Sequence, residues 1–563
     1  MGSVRINDIE IDVDPKANII QAAQQAGVEI PYYCWHHDLS VVASCRMCLV
    51  EVGEKKPDGT VSMLPKLMPA CQTPAKPGTV VVTDSDKVKK SREQTLEYLL
   101  LNHPLDCSIC DQAGECYLQD YTYKFGRAHS RLNEPKVQRF DKYHIGDQIA
   151  LFTDRCVMCT RCVRFTREIS GTSELHVVNR GSVEEIDVFP GHECNNKLAG
   201  NVVDLCPVGA LCSKDFLYKQ RVWWLKTVQS VCTGCSTGCS IEVDQSEEKV
   251  YRLRPRENPQ AQGSFMCDEG RFGWKYIASE TRLKAPRKGK LLQTTESSDP
   301  AEGQTKSDLD FSDPWPGILK DVHSAIAEAT RQDAHKFIAV FSPFMTCEES
   351  YLLASYLKSV NSGIRLVLGP VPHVGVDDCY PKGAKGESPS PDKVKFTIRA
   401  EKCPNRRGVS AILKHFQGQV LEWSAIQSEF ASQQIQSAYF VGGYPHSILS
   451  DAEVKNLLAL KLLIVQDILQ SKISDQANFV LAAASFAERE GVVINHAGLA
   501  QRFYAAVRAP ESARADGRIL MELAGRRGLF HSDSLLQEIA ANIPAFASLN
   551  QATLGELGVK VLS

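Results

Sequence analysis

Fifteen of the chain's twenty cysteines fall into four groups whose types and spacing suit metal-cluster ligation. They are Cys34-x10-Cys45-x2-Cys48 with Cys71 beyond; Cys107-x2-Cys110-x5-Cys116 with His103 just before; Cys156-x2-Cys159-x2-Cys162 with Cys206-Pro207 beyond; and Cys232-x2-Cys235-x3-Cys239 with Cys267 beyond. Each group offers four soft or borderline ligands, the number that one iron–sulfur cluster needs. Structural zinc also uses C-x2-C pairs, but it usually joins two such knuckles over a short gap. Here three cysteines cluster and a fourth ligand stands apart, and one group ends in Cys-Pro. The spacing therefore favours iron–sulfur chemistry, and four clusters on one polypeptide make an electron wire.

The first group has the wide first gap of a [2Fe–2S] loop, where a planar two-iron cluster takes two thiolates per iron. The competing reading is a set of buried structural cysteines. The second group has three cysteines, and a [4Fe–4S] cube needs a fourth ligand. His103 is the nearest candidate; spacing alone leaves it either a ligand or a cation at a helix C-terminus. The third group is the bacterial ferredoxin run with its fourth ligand displaced. Arg155, Arg161 and Arg164 lie beside it, either as a solvated basic face or as stabilisers of the reduced cluster. The fourth group suits another cube, with Gly234 and Gly238 letting the backbone turn tightly and residues 240–266 pinned as a closed excursion. Cys194, Cys212, Cys347, Cys379 and Cys403 read as structural.

The elements around these groups follow from periodicity. Val4, Ile6, Ile9, Ile11 and Val13 alternate about an Asn7-Asp8 turn, a hairpin. A helix is expected over 16–26, ending at Gly27, then the cysteine loop and a strand over Leu49–Val52. That order predicts a β-grasp ferredoxin-like [2Fe–2S] domain over 1–83. Residues 84–150 predict a helix with Leu96, Leu99 and Leu100 on one face, stopped by Pro104 so that His103 stands at its end, and then the second loop. Residues 151–225 and 226–285 hold the third and fourth groups. Residues 286–316 are polar and read as a linker. From 317 to 563 the buried-strand runs Phe337–Phe341, Ile364–Leu368, Tyr439–Gly442, Leu462–Val465 and Phe479–Ala483 alternate with helical stretches such as Glu348–Ser359. A mostly parallel α/β sheet is expected there, without a dinucleotide GxGxxG fingerprint. The fold class is thus multidomain, α+β followed by α/β.

The chain has 563 residues, 43% of them hydrophobic, 23% charged, with a formal net charge of −3. Several domains are expected, and no basic excess points to nucleic acid. No run of 18 apolar residues suggests a membrane span. The opening MGSVRINDIEIDV has neither the apolar core of a secretory signal nor the Arg- and Ser-rich look of a transit peptide. A reducing compartment is expected, where twenty cysteines do not form a disulfide framework.

Together, PYYCW…SCRMCLVEV, HPLDCSICDQAGECYLQD, DRCVMCTRCVRF, DLCPVGAL and VCTGCSTGCS…RFGWKYI closely resemble the large iron–sulfur subunit family of bacterial NADH–quinone oxidoreductase, respiratory complex I. The resemblance covers roughly residues 1–280. It implies one [2Fe–2S] cluster on Cys34, Cys45, Cys48 and Cys71. It implies three [4Fe–4S] clusters: on His103, Cys107, Cys110 and Cys116; on Cys156, Cys159, Cys162 and Cys206; and on Cys232, Cys235, Cys239 and Cys267. A complete fourth set implies a bacterial source. The resemblance further implies an electron relay with no substrate site of its own. Its partners would be a flavin-bearing NADH-oxidising subunit and other peripheral-arm iron–sulfur subunits, on the cytoplasmic side of the bacterial inner membrane. The later half looks like a shortened molybdopterin oxidoreductase. FVLAAASFAEREGVVINHAGLAQR is similar to a segment of those enzymes, but 296 residues follow Cys267, fewer than they use to enclose a pterin. No molybdopterin is expected, and 317–563 should act as a docking and covering domain. The rival readings are the cluster subunit of an NAD-linked formate dehydrogenase or hydrogenase, and a non-redox, metal-stabilised scaffold.

Overall fold

A computed structural model describes residues 2–290, 313–383, 386–549 and 551–562. The chain divides into two compact units. One holds residues 1–225 with 379–395; the other holds 226–378 with 396–563.

The first unit opens as the alternating residues predict. Strands Gly2–Ile6 and Ile9–Val13 form an antiparallel hairpin, with Asn7 in the left-handed region (φ 51°) at the turn. Val4, Ile6 and Val13 are buried, while Ile9 is exposed at the sheet edge. The sheet runs Ile9–Val13, Gly2–Ile6, Thr79–Val82, Leu49–Lys55, Val61–Met63, with Met68–Pro69 also pairing on Leu49–Lys55. Gly2–Ile6 and Thr79–Val82 are parallel and the other pairs antiparallel. Helix α1 (Ile19–Gln25), shorter than the expected 16–26, starts at an Asn18–Gln21 capping box. It ends before Gly27, whose φ of +70° strains any side chain. Ile19, Ile20, Val50 and Val81 fill the core between helix and sheet.

Helix α2 (Asp86–Leu100) is capped by Ser85 and buries Val88, Arg92 and Leu96, spaced one turn apart; Leu99 and Leu100 are only half-buried. Helices α3 (Tyr117–Phe125), α4 (Arg161–Glu168) and α5 (Asn201–Leu205) each adjoin a cysteine group. Two small antiparallel pairs, Ile149–Leu151 with Leu211–Ser213 and Leu175–Val178 with Glu185–Val188, hold the loops between them.

The second unit begins with a three-stranded antiparallel sheet, Lys226–Val231, Ser240–Ser246 and Lys249–Pro255. Its larger sheet has seven strands in the order Arg287–Lys288, Phe479–Ala482, Leu462–Asp467, Ser437–Val441, Phe337–Phe341, Arg365–Leu368, Leu421–Glu422. All its pairs are parallel except that of Arg287–Lys288. Strand order grows outward in both directions from Phe337–Phe341, as in doubly wound sheets. The five expected strands are present to within two residues at each end. Helix Cys347–Val360 replaces the expected Glu348–Ser359 and starts at a Thr346–Glu349 capping box. The linker expected over 286–316 lies outside the described residues for 291–312. Its ends are not linker-like: Arg287–Lys288 is a sheet edge, and Trp315, 1% exposed, opens helix Trp315–Thr330.

Candidate iron–sulfur sites

The first set sits on the β-grasp sheet. Cys34, Cys45 and Cys48 lie on the loop between α1 and strand Leu49–Lys55; Cys71 lies two residues past strand Met68–Pro69. Ala70 N–H donates to Cys48 O (3.0 Å) and Asn18 to Cys71 O (3.0 Å), which pins the far ligand to the near ones. The loop passes Ala43 (φ 50°) and Arg46 (φ 58°), two left-handed non-glycines. Such positions cost about 1–3 kcal/mol each and gather at functional sites. The four sulfurs are in hydrogen-bonding contact, Cys34 with Cys45 and Cys71, and Cys48 with Cys71. Those bonds hold the Cys34 and Cys48 thiols below their ordinary range, toward thiolate.

In the second set, Cys110 and Cys116 are buried and Cys107 is exposed. Burial first, then neighbouring thiols, raises Cys116 to about 11. His103 lies three residues beyond the end of α2, not at it. The helix-end carbonyls of Leu100 and Leu101 are instead taken by Lys136 Nζ, at 2.7 and 2.9 Å. Burial, then the fields of Lys136 and Arg155, lower His103 to about 4. That shift favours the neutral imidazole, the form that ligates metals, over a helix-end cation.

In the third set, Cys156 and Cys159 precede α4, Cys162 is in its first turn, and Cys206 ends α5 before Pro207. Met158 (φ 49°) and Thr160 (φ 58°) wrap the loop, and Met158 N–H faces Cys156 Sγ at 3.4 Å. Burial raises all four thiols, Cys156 to about 12 and Cys159 to about 11, and neighbouring thiols of the set add to the rise at Cys156, Cys159 and Cys162. The three nearby arginines are 2–4% exposed, so the solvated-face reading is overturned. Arg155 is held by Asp106 (2.9 Å) and stacks on Phe152 at 4.1 Å.

The third set is joined to both its neighbours. Tyr117 N–H, beside Cys116, donates to Pro207 O, beside Cys206, at 3.0 Å. A Cβ on Gly209 would fall on the Cys110 sulfur, so the chain leaving Cys206 is in contact with the second set. On the other side, Arg164 bonds both Cys34 O and Cys159 O.

The fourth set belongs to the second unit. Gly234 N–H faces Cys232 Sγ and Gly270 N–H faces Cys267 Sγ, each at 3.4 Å. Gly238 takes a left-handed φ of +61°, as a tight turn requires, whereas Gly234 does not. Gly270, which the cysteine spacing does not mark, is the close-approach glycine: its Cβ would lie 2.8 Å from Cys232 Sγ. Residues of the α/β fold hold this loop. Ser236 N–H donates to Glu401 O, Thr237 Oγ1 to Thr397 O, Asn495 to Thr237 O, and Gln501 to Gly238 O. The loop is therefore built into the α/β unit rather than separated from it. A cavity of about 230 Å³ borders Cys232 and Gly234, walled by Trp274, Phe344, Tyr444 and Phe486.

The thiolate is the metal-ligating form, so metal binding would release the protons these buried thiols hold. All four donor sets fit iron–sulfur clusters in type and number. Of the remaining cysteines, Cys194, Cys212, Cys347 and Cys403 are buried, and Cys379 is half-buried. A separate trio, His36, His37 and Asp38, brings its ligand atoms within 4.8 Å, with Asp38 also paired to Lys395. No helix among the described residues is long and apolar enough to cross a membrane.

Comparison with known families gives the same order of parts. A 2Fe-2S iron-sulfur cluster binding domain matches residues 2–86, and the NADH-ubiquinone oxidoreductase-G iron-sulfur binding region matches 92–131. The ferredoxin-like domain of NADH-quinone oxidoreductase subunit 3 matches 146–212. The molybdopterin oxidoreductase Fe4S4 domain matches 225–279, and molybdopterin oxidoreductase matches 417–526. The NADH-quinone oxidoreductase subunit designated G in Rickettsia conorii is 34% identical over 64% of this chain and 50% of its own length. The mitochondrial NADH dehydrogenase [ubiquinone] iron-sulfur protein 1 of Solanum tuberosum is 43% identical over 49% of this chain and 37% of its own. The chain thus spans half or less of the length of these curated relatives. A solved chain of an NAD+-reducing [NiFe]-hydrogenase is 27% identical, covering 39% of this chain and 91% of its own, with a TM-score of 0.34. That overlap is too loose to bear on the fold.

Proposed function

This chain is a relative of the large iron–sulfur subunit of NADH–quinone oxidoreductase, and from that premise we propose that it is an electron-relay subunit in the peripheral arm of such a membrane-associated enzyme. A partner flavoprotein would oxidise NADH, and a partner bearing further clusters would take the electrons toward quinone, on the cytoplasmic side of a bacterial inner membrane. Cys34, Cys45, Cys48 and Cys71 would hold a [2Fe–2S] cluster. His103 with Cys107, Cys110 and Cys116, Cys156 with Cys159, Cys162 and Cys206, and Cys232 with Cys235, Cys239 and Cys267 would hold [4Fe–4S] clusters. When bound, these groups supply one-electron carriage, so the protein needs no general base or nucleophile.

The observation that carries this reading is the contact of the third set with both the first and the second. Arg164 ties Cys34 to Cys159, and Tyr117 meets Pro207. Three donor sets in an unbroken row are what a relay needs and a zinc-stapled scaffold does not. Burial of the donor residues other than the exposed Cys107 limits the access of water. The α/β unit is proposed to cover and dock, without a pterin.

Replacing Cys159 by Ala in the assembled enzyme tests the proposal. NADH-to-quinone flow should stop, while NADH oxidation by an artificial acceptor at the flavin continues. Normal quinone reduction with the third cluster's signal gone would sink the relay, and stoichiometric zinc without sulfide would sink the cluster assignment itself.

A further inference from the structure

Arg161 and Arg164 project from the first turn of α4 and are 4% and 3% exposed. Arg164 donates from Nη2 to Cys34 O (2.5 Å) and Cys159 O (3.1 Å), from Nη1 to Ser40 O (2.5 Å), and from Nε to Thr160 O (3.3 Å). Arg161 donates from Nη2 to Trp35 O (2.7 Å) and from Nη1 to Leu205 O (3.1 Å). All these acceptors are neutral carbonyls of ligand residues or of residues close to them in the chain. Arg155 differs, since Asp106 neutralises it. The acid in the field of Arg164, Glu168, is engaged by Ser40 and Arg167.

Carbonyl dipoles orient a guanidinium but do not cancel its charge, and a buried cation whose nearby acid, Glu168, is shared with Arg167 is left incompletely compensated. The negative charge that fits here is that of the thiolate-bound clusters on either side. Arginine suits the place because its rigid planar fork reaches several acceptors at once, whereas lysine offers a point charge on a flexible stem.

We propose that Arg164, seconded by Arg161, is a shared positioning residue: one guanidinium ties the loop of the first cluster to that of the third, fixing their separation, and its charge makes both easier to reduce. This rests on the cluster assignment above. Two clusters served by one cation should shift together when the cation is removed.

The test uses the full chain, reconstituted anaerobically with iron and sulfide and titrated with dithionite under electron paramagnetic resonance. In Arg164→Gln the midpoint potentials of the [2Fe–2S] cluster and the third cube should both fall, a tenfold weaker preference for the reduced state reading as about 59 mV. In Arg164→Lys both potentials should return toward wild type. The magnetic interaction between the two reduced clusters, read by power saturation, should still weaken, because an ammonium has no second nitrogen for Ser40 O and no rigid fork to fix the two carbonyls that Nη2 bonds. A cluster-replete Arg164→Gln chain in which neither potential falls, or only one does, overturns the shared charge. Unchanged interaction in Arg164→Lys overturns the tie, and decides alone if the glutamine variant loses clusters. Joint loss of the first and third signals in both variants, with the others kept, supports the tie; loss of one alone or of all four counts against it. A wild-type chain without cluster signals would refute the underlying assignment instead.

Discussion

At Gly209 the room a side chain would need is occupied by the Cys110 sulfur. Gly209→Ala should therefore lose the second cluster, seen as about four fewer iron atoms per chain with the third cluster's spectrum retained. Equal iron in variant and wild type would show that the loop simply moves aside. His103 makes a second residue-scale prediction. His103→Cys should keep a cube but lower its potential, because a thiolate adds negative charge where the imidazole is neutral; a redox titration reads this, and an unmoved potential removes His103 from the ligand set. Lys136→Met should leave that cluster in place and cost the end of α2 about 0.3–1 kcal/mol, measurable by denaturation. The donor sets could be proposed from the sequence because cysteine spacing is a local signal. Lys136 and Gly209 were not, since each acts on a partner far along the chain. The arginines were seen, but their burial, and so their role, was not.

At the scale of elements, long buried strands were readable and short ones were not. Phe337–Phe341 is buried at every position, so its apolar run stands out. Arg287–Lys288 and Leu421–Glu422 are two-residue strands with charged residues, formed only because a sheet edge is waiting for them. The antiparallel pair of Gly491–Ile494 and Leu499–Phe503 also went unseen. One strand end makes a pH prediction. Asp467 closes strand Leu462–Asp467, and burial raises its carboxyl to about 6, against the bonds it accepts from Gly443 and Ile468. An acid with a raised folded pKa keeps its proton longer folded than unfolded. Stability should therefore fall as pH rises from about 4 to 6 and stay lower above that. The bonds from Gly443 and Ile468 go to the same oxygen, Oδ1, so Asn can keep those two, whatever it loses of the bond from Leu469. Asp467→Asn should flatten this dependence and gain on the order of 1–3 kcal/mol at pH 7.5. Urea midpoints at pH 5 and 7.5 that move in parallel for both proteins would contradict it.

On the scale of the whole molecule, a clean break between a cluster half and an α/β half is replaced by a different division, in which the fourth set goes with the α/β unit. Cutting the chain after residue 285 removes the groups at 397, 401, 495 and 501 that hold that set. Iron should drop from about 14 to no more than about 10 atoms per chain, the loss of at least the fourth cube, since the cut also removes residues 379–395 of the first unit. Retention of all four spectra would place the fourth set's stability in its own loop. The first unit is also unfinished at its nominal end, because it includes residues 379–395. There Lys382 N–H bonds Ile169 O, just past α4, and Lys395 reaches Asp38, near Cys34. That interruption has a consequence in time. At roughly 5–20 residues per second on the ribosome, residue 395 follows residue 225 by roughly 10–30 s. For that interval the emerging protein holds its first three ligand sets before residues 379–395 of the same unit have been made. Synthesis itself thus provides a window in which iron and sulfide can be delivered before the last segment closes over the unit.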